Sequence, residues 1–411
     1  VRIALLSYRS APHCGGQGVY VRNLSRALVD HGHDVEVFSG QPYPELDPRV
    51  RLTPVPSLDL YRASDPFRTP RPSEFRDTID LLELAMMWTA GFPEPLTFSL
   101  RVAKVLAERR DEFDVIHDNQ GLGYGLLSLQ KTGLPLVATV HHPITRDRET
   151  DLAAARPLRK FTLRRWYGFL RMQARVARRI PHLLTVSRNS ATDIATDFRI
   201  DSDRIRTVPL GVDTTVFHPS TSPRVPGRIA AVASADVPLK GVNHLLEAVA
   251  KLRTERDAQL VLVSKLTPGG PTERRISELD ISDSVRVVSG ITDAELAELL
   301  ASAEVACVPS LYEGFSLPTV EAMACGTPLV VSDTGALPEV VGTEDQCATR
   351  VPPGDTEALA TALADLLADP QRRTRLGSAG RQRALDQYSW SSVAATTTEC
   401  YVDAVQHTPQ C

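Results

Sequence analysis

At 411 residues the chain is too long for one ordinary hydrophobic core, so two domains or slightly more are expected. A hydrophobic fraction of 42%, a charged fraction of 23% and a formal net charge of -4 exclude a disordered chain and a globally nucleic-acid-binding one. The first predicted strand begins at Arg2, leaving no room for a signal peptide, no apolar run approaches a membrane span, and the six cysteines include no CxxC pair, so a cytoplasmic protein without zinc or disulfides is expected.

The chain opens as a βαβ unit: strand Arg2 to Tyr8, glycine loop Cys14, Gly15, Gly16, Gln17, Gly18, amphipathic helix Val19 to Asp30, a turn at Gly32 and strand Asp34 to Phe38. Glycines between a strand and a helix let backbone approach a diphosphate at the helix N-terminus. The second strand ends Phe38, Ser39, Gly40, without the acidic residue that holds a ribose in nicotinamide enzymes, and the loop does not end in Gly-Lys-Ser/Thr. Both a dehydrogenase and a P-loop ATPase are therefore disfavoured. The proline-dense segment Gln41 to Pro72, with the aromatic and acidic stretch to about Pro95, is long for a connection. It reads either as acceptor contact or as a surface insertion.

Apolar runs at Val115 to His117, Leu136 to Val140 and Leu183 to Val186 continue the strand pattern of an open parallel sheet. Between Arg156 and Arg188 lie ten Arg or Lys residues and no acid. Leu163, Trp166, Tyr167, Leu170 and Ala174 are predicted to share one helical stripe there, opposite Arg164, Arg171, Arg175 and Arg178. This segment reads first as a solvated basic face, with weak attachment to anionic membrane as the functional alternative. Asp201, Ser202 and Asp203 spell DxD but sit in a polar turn, so no catalytic metal is expected.

The text HPSTSPRVPGR after Phe217 lacks periodicity and reads as a linker. A second alternating set follows: strand Ile229 to Ala233, helix Val242 to Arg253, strands Leu260 to Val263 and Val285 to Val288, helix Ala294 to Ala301, strand Val305 to Val308. Lys240 falls between the first of these strands and its helix, a position suited to a phosphate. Lys265 closes the next strand. In EGFSLPTVE, Glu313 and Glu321 flank a helix start where Ser316 is a plausible N-cap and Pro318 suits the first helical position. Amides from Gly314 through Phe315 and Ser316 to Leu317 would face an anion, with hydroxyl-binding carboxylates on either side.

That Glu, seven residues, Glu spacing, followed by a small-residue turn and the strand Pro328 to Ser332, resembles the signature of retaining glycosyltransferases of family 4, and the resemblance covers nearly the whole chain. It implies the GT-B fold: two doubly wound Rossmann-like α/β domains facing each other across a cleft, residues 1–215 on the acceptor side, 216–387 for the donor, and 388–411 crossing back. By resemblance, Glu313 contacts the donor sugar, Glu321 the ribose, Gly15 and Gly16 the diphosphate, Lys240 the leaving phosphate and His141 the transferred sugar. His117, Asp118, Asn119 and His142 fall to the acceptor side. Family members usually read Gly-Arg before the lysine; this chain has Ser234 and Ala235, and Lys265 is the candidate to replace the lost charge.

The segments SYRS, SGQPYP, HHPITRDRE and SADVPLKG resemble actinobacterial members, which implies GDP-mannose as donor, an oligomannoside acceptor, no prosthetic group and no essential metal. A UDP- or ADP-glucose-dependent glucosyltransferase is the alternative within the class. A sugar-nucleotide epimerase and a non-catalytic sugar-nucleotide-binding protein are the alternatives outside it.

Overall fold

The computed structural model describes residues 1–11, 16–62, 65–141 and 144–407. They divide into two compact units, Val1–Val208 with Val393–Cys411, and Pro209–Ser392.

In the first unit the strands are β1 (Arg2–Ser7), β2 (Asp34–Ser39), β3 (Arg51–Pro54), β4 (Tyr61–Arg62), β5 (Asp65–Pro66), β6 (Val115–Asn119), β7 (Leu136–Val140), β8 (His182–Thr185) and β9 (Ile205–Thr207). Its helices are α1 (Gly16–Asp30), α2 (Thr78–Trp88), α3 (Glu94–Glu108), α4 (Gly125–Gln130), α5 (Thr145–Ala154), α6 (Pro157–Trp166), α7 (Phe169–Ala177) and α8 (Arg188–Phe198). Seven strands form one parallel sheet in the order β3-β2-β1-β6-β7-β8-β9, and β4 pairs antiparallel with β5. All residues of β6 and β7 are buried, as expected for strands covered by helices on both faces. The core joins Leu6, Phe38, Ile116 and Ala138 of the sheet to Phe98, Val102, Val176 and Ile194 of the helices.

The second unit contains β10 (Val225–Val232), β11 (Gln259–Val263), β12 (Val285–Val288), β13 (Ala303–Val308), β14 (Leu329–Ser332) and β15 (Ala348–Val351). Its helices are α9 (Val242–Leu252), α10 (Pro271–Glu278), α11 (Asp293–Ser302), α12 (Leu317–Ala324), α13 (Leu337–Val341), α14 (Thr356–Ala368) and α15 (Pro370–Gln387). The sheet is again parallel, in the order β12-β11-β10-β13-β14-β15. The helix α16 (Trp390–His407) starts in this unit, where Trp390 packs over Gly211, and from Val393 belongs to the first.

In both sheets chain order reverses beside the first strand, between β1 and β6 and between β10 and β13. The loops leaving these strands at their carboxyl ends part there, which is where ligands enter open α/β sheets.

Several expectations are corrected. Helix α1 begins at Gly16, so Gly16 to Gly18 form its first turn rather than a preceding loop. Gly18 is needed there because an added Cβ would lie 2.0 Å from the Ala11 carbonyl oxygen. The supposed linker ends sooner than predicted: Val225 to Gly227 already belong to β10, whose ladder with β13 is irregular between Val225 and Ile229. The basic segment is not one helix, since it breaks at Tyr167 and Gly168 between α6 and α7. The long proline-rich segment holds β3, the β4–β5 hairpin and α2, closed by a buried network in which Arg101 binds Asp80 at 2.6 Å and also Glu83.

Candidate functional site

The second unit builds its site from four loops at the β10/β13 switch point. After β10 the chain makes a 3-10 turn over Pro238–Lys240 and leaves it through Gly241 at φ 65°. A Cβ at Gly241 would stand 2.0 Å from the Pro309 carbonyl oxygen, and the Leu311 amide donates to the Leu239 carbonyl at 2.8 Å. The turn is thus pressed directly onto the loop that follows β13. This contact delivers Lys240 Nζ to 2.8 Å from Glu313 Oε1, and Ser310 Oγ donates to the same carboxylate oxygen at 2.8 Å.

The backbone of Glu313 is held from the other side. Its carbonyl accepts from the Ala336 amide at 2.9 Å, and Gly335, at φ 56°, leaves room where a Cβ would lie 2.3 Å from that carbonyl oxygen. Thr334 Oγ1 donates to the Leu311 carbonyl at 3.2 Å. Glu313 therefore presents a carboxylate whose position is fixed by backbone on both flanks and whose Oε1 is occupied by a cation and a hydroxyl. Such an arrangement can hold a sugar hydroxyl on the remaining oxygen and a phosphate on the ammonium.

The residues that follow differ from expectation in their side chains. Phe315 is buried against Tyr388, ring centroids 5.8 Å apart, so it anchors the loop rather than facing a ligand. Ser316 occupies the N-cap position at φ 90° but caps nothing with its side chain; its Oγ meets Thr319 Oγ1 at 2.8 Å. Helix α12 starts at Leu317, making Pro318 the second helical residue. The backbone from Gly314 to Leu317 still forms the helix start, with α12 behind it. Glu321 lies one turn further along the same helix, and burial, with some repulsion from Asp293, pushes its carboxyl up to about 7.

Ser234 and Ala235 lie in a loop tied to its neighbour: the Ala235 amide donates to Ser264 Oγ at 3.0 Å, and Asp236 accepts from the Thr267 amide at 2.8 Å. Lys265 follows β11, exposed, and forms no ion pair with Glu313 or with any other described residue.

In the first unit, the β1/β6 switch point gathers His117, Asp118, Asn119 and His141. His141 Nε2 lies 2.7 Å from Asn119 Oδ1, its amide donates to Gln120 Oε1 at 2.9 Å, and its ring meets Tyr20 edge to face at 4.6 Å. Asn119 is fully buried, so it orients His141 and presents nothing to solvent.

His117 and Asp118 require a correction. His117 is fully buried, with Nδ1 2.6 Å from Tyr401 Oη and Nε2 2.7 Å from Thr139 Oγ1, and burial lowers its pKa to about 3. It fastens α16 to the sheet. Asp118 is buried and accepts from the Leu122 amide at 2.8 Å, bracing the loop after β6, while burial pushes its carboxyl up to about 7. Neither side chain is available to an acceptor. Gly15 and His142 lie outside the described residues.

The positioning residues Ser310 and Gly335 were not legible in advance. Ser310 lies three residues before Glu313, and the signal, a small hydroxyl ending a buried strand, is common to many loops. Among the described residues, no group of three or more His, Cys, Asp or Glu side chains is placed to hold a metal ion. The DxD aspartates lie at a 3-10 turn, where Asp201 accepts from the Asp203 amide. No described helix is long and apolar enough to cross a membrane.

Residues 14–216 match the family described as Glycosyltransferase Family 4, and residues 215–383 match Glycosyl transferases group 1. The chain is 65% identical over 412 residues, covering all of both chains, to the MMP alpha-(1->4)-mannosyltransferase of Mycolicibacterium hassiacum. It is 30% identical to the D-inositol 3-phosphate glycosyltransferase of Xylanimonas cellulosilytica, over 99% of this chain and 98% of the relative. Solved structures share the fold, two of them as follows. Sucrose-phosphate synthase from Thermosynechococcus elongatus superposes with a TM-score of 0.71 at 24% identity, covering 98% of each chain. Anabaena Alr3699/HepE in complex with UDP gives 0.70 at 16% identity, covering 98% of this chain and 100% of that one.

Proposed function

The chain belongs to the family 4 glycosyltransferases of GT-B fold and transfers a hexose, with retention, from a nucleotide sugar to an acceptor hydroxyl; from that premise we propose that the hexose is mannose, the donor GDP-mannose and the acceptor an oligomannoside. The observation that carries this reading is the end-to-end identity of 65% with an alpha-(1->4)-mannosyltransferase. The clamped Lys240–Glu313 pair supports it as a site for an activated sugar.

In the proposed reaction the bond from sugar C1 to the phosphate oxygen breaks while a bond from C1 to the acceptor oxygen forms on the same face. The acceptor proton passes to the departing phosphate. Lys240 neutralises the charge growing on that phosphate, and the amides at the start of α12 add fixed positive potential that needs no reorganisation during the step. Glu313 holds a hydroxyl of the transferred sugar through Oε2, Glu321 the ribose hydroxyls, and His141 contacts the sugar from its position beside Asn119. Lys265 is free to approach the diphosphate. The leaving phosphate and these residues supply what the step needs, without a metal.

The site of action proposed is the cytoplasm. The cations of α6 and α7, together with Leu158 and Phe161, which are 90% and 79% exposed, favour weak contact with anionic membrane there. Titration calorimetry with GDP-mannose, UDP-glucose and ADP-glucose, followed by mass spectrometry of products formed on short mannosides, tests the donor and acceptor together. Tight binding of GDP-mannose and a gain of one hexose on the mannoside are expected. Preference for a glucose donor would replace the reading, and an epimerised sugar released without acceptor would move the protein out of the transferases.

A further inference from the structure

We propose that the first unit carries an aromatic platform, formed by Phe67, Tyr61 and Trp166 with Arg9 and Glu94 at its edge, that binds the sugar chain of the acceptor. The proposal rests on the transferase reading above and assigns its acceptor to particular residues.

Four rings from three chain segments converge. Tyr61 meets Phe67 at 5.8 Å and Trp166 at 5.4 Å between centroids, Phe67 meets Trp166 at 6.0 Å, and Phe92 lies 5.1 Å from Trp166. An ordinary satellite core would hide its outermost ring, yet Phe67 is 58% exposed and Tyr61 37%. Phe67 also sits at φ 64°, a left-handed conformation that bulky residues avoid, fixed by its amide donating to the Leu60 carbonyl at 2.8 Å. Backbone strain spent on displaying an apolar ring to water brings no return in folding, and strain of this kind gathers at ligand sites.

A polar group beside the rings lacks a partner. Arg9 Nη1 donates to Glu94 Oε1 at 2.8 Å, Arg9 Nη2 to the Tyr61 carbonyl at 2.9 Å, and the guanidinium stands 5.4 Å from the Tyr61 ring centre. Glu94 Oε2 is buried and makes no hydrogen bond, on a side chain only 8% exposed. Buried polar atoms nearly always have a partner. A ligand hydroxyl would complete it.

These features select among ligands. Pyranose rings offer C–H faces to aromatic rings and hydroxyls to a carboxylate. A lipid chain would leave Glu94 Oε2 unsatisfied, and a phosphate would find the Arg9 guanidinium already held by Glu94 Oε1 and the Tyr61 carbonyl. A neutral glycan answers both parts of the site.

The test is titration calorimetry of the full chain with alpha-(1->4)-linked mannotetraose, with maltotetraose as the competing probe. Phe67→Gly relieves the backbone strain while removing the ring, so the thermal midpoint should hold or rise as affinity for mannotetraose falls about ten-fold. Phe67→Leu, which keeps apolar bulk without the ring, should lose affinity to a similar extent. Unchanged mannotetraose binding in both variants overturns the platform, as does a wild-type chain that transfers hexose but prefers maltotetraose or binds neither glycan. A wild-type chain that binds mannotetraose through Phe67 but transfers no hexose would sink the catalytic reading and leave the platform standing.

Discussion

Lys240 Nζ lies 2.8 Å from Glu313 Oε1, although 73 residues separate them, because the turn after β10 is seated on the loop after β13. The pair is partly open, with the two side chains 33% and 12% exposed, so its members can exchange partners with a ligand. Without a ligand each neutralises the other. With a nucleotide sugar, the ammonium is placed for phosphate and the carboxylate for hydroxyls.

Lys240→Ala should lower kcat by roughly 10²- to 10³-fold, the range for removing one preorganised electrostatic contact from a transition state. Glu313→Gln, which keeps shape but loses the charge, should lower kcat/KM comparably. Steady-state release of the nucleoside diphosphate at saturating acceptor reads both. Near-normal turnover in either variant removes that residue from the mechanism.

Ser310 is a positioning residue, buried beneath Glu313 and donating to its Oε1. Ser310→Ala should reduce kcat/KM about ten-fold, in line with one hydrogen bond to a charged group, roughly 1.5 kcal/mol or somewhat more. Ser310→Thr should recover most of the loss if the hydroxyl is what matters. Equal losses in both variants would indicate packing instead.

Gly335→Ala and Gly269→Ala form a matched pair. Both glycines have left-handed φ, 56° and 66°, but a Cβ at Gly335 collides with Glu313 backbone whereas Gly269 has nothing within 4 Å. Left-handed strain alone costs about 1–2 kcal/mol. Gly335→Ala should lower the thermal midpoint further than Gly269→Ala and reduce turnover as well. Equal effects on both readouts would show that the Gly335 contact does not position Glu313.

Folding should carry a pH signature from His117, whose pKa burial lowers from 6.5 to about 3. Between those values the unfolded chain binds a proton that the folded chain refuses, so this contribution is complete above pH 6.5 and is lost as pH falls toward 3. Glu94, Asp118 and Glu321, each raised to about 7, act oppositely, their contribution falling as pH rises from the ordinary carboxylate range toward 7. Denaturant midpoints across this range for wild type, His117→Gln and Tyr401→Phe separate the terms. Tyr401→Phe should cost about 1 kcal/mol with the slope kept, whereas His117→Gln should remove the acid-side loss; an unchanged slope there would exclude His117.

Much of the fold was legible because buried parallel strands announce themselves as short apolar runs. Leu136–Val140, buried throughout, falls where the pattern places it, and so does the more exposed edge strand Val285–Val288. Less regular text misled for identifiable reasons. Pro223 just ahead of it, and Pro226 and Gly227 within it, hide the start of β10, whose irregular ladder tolerates the latter two. The basic stretch reads as one amphipathic helix because periodicity continues across Gly168, where the backbone nevertheless turns.

By itself the sequence determined the two sets of alternating strands and helices, and with them Lys240 and Glu313 at strand ends, because local propensity and hydrophobic period act over a few residues. Only the tertiary structure decided what the polar residues at those ends do. His117 and Asn119 alternate with Asp118 along one strand, yet one holds Tyr401, 284 residues away, one aims His141 and one braces a loop. Those assignments depend on which distant segment packs against each face of the sheet, and no local pattern records that choice.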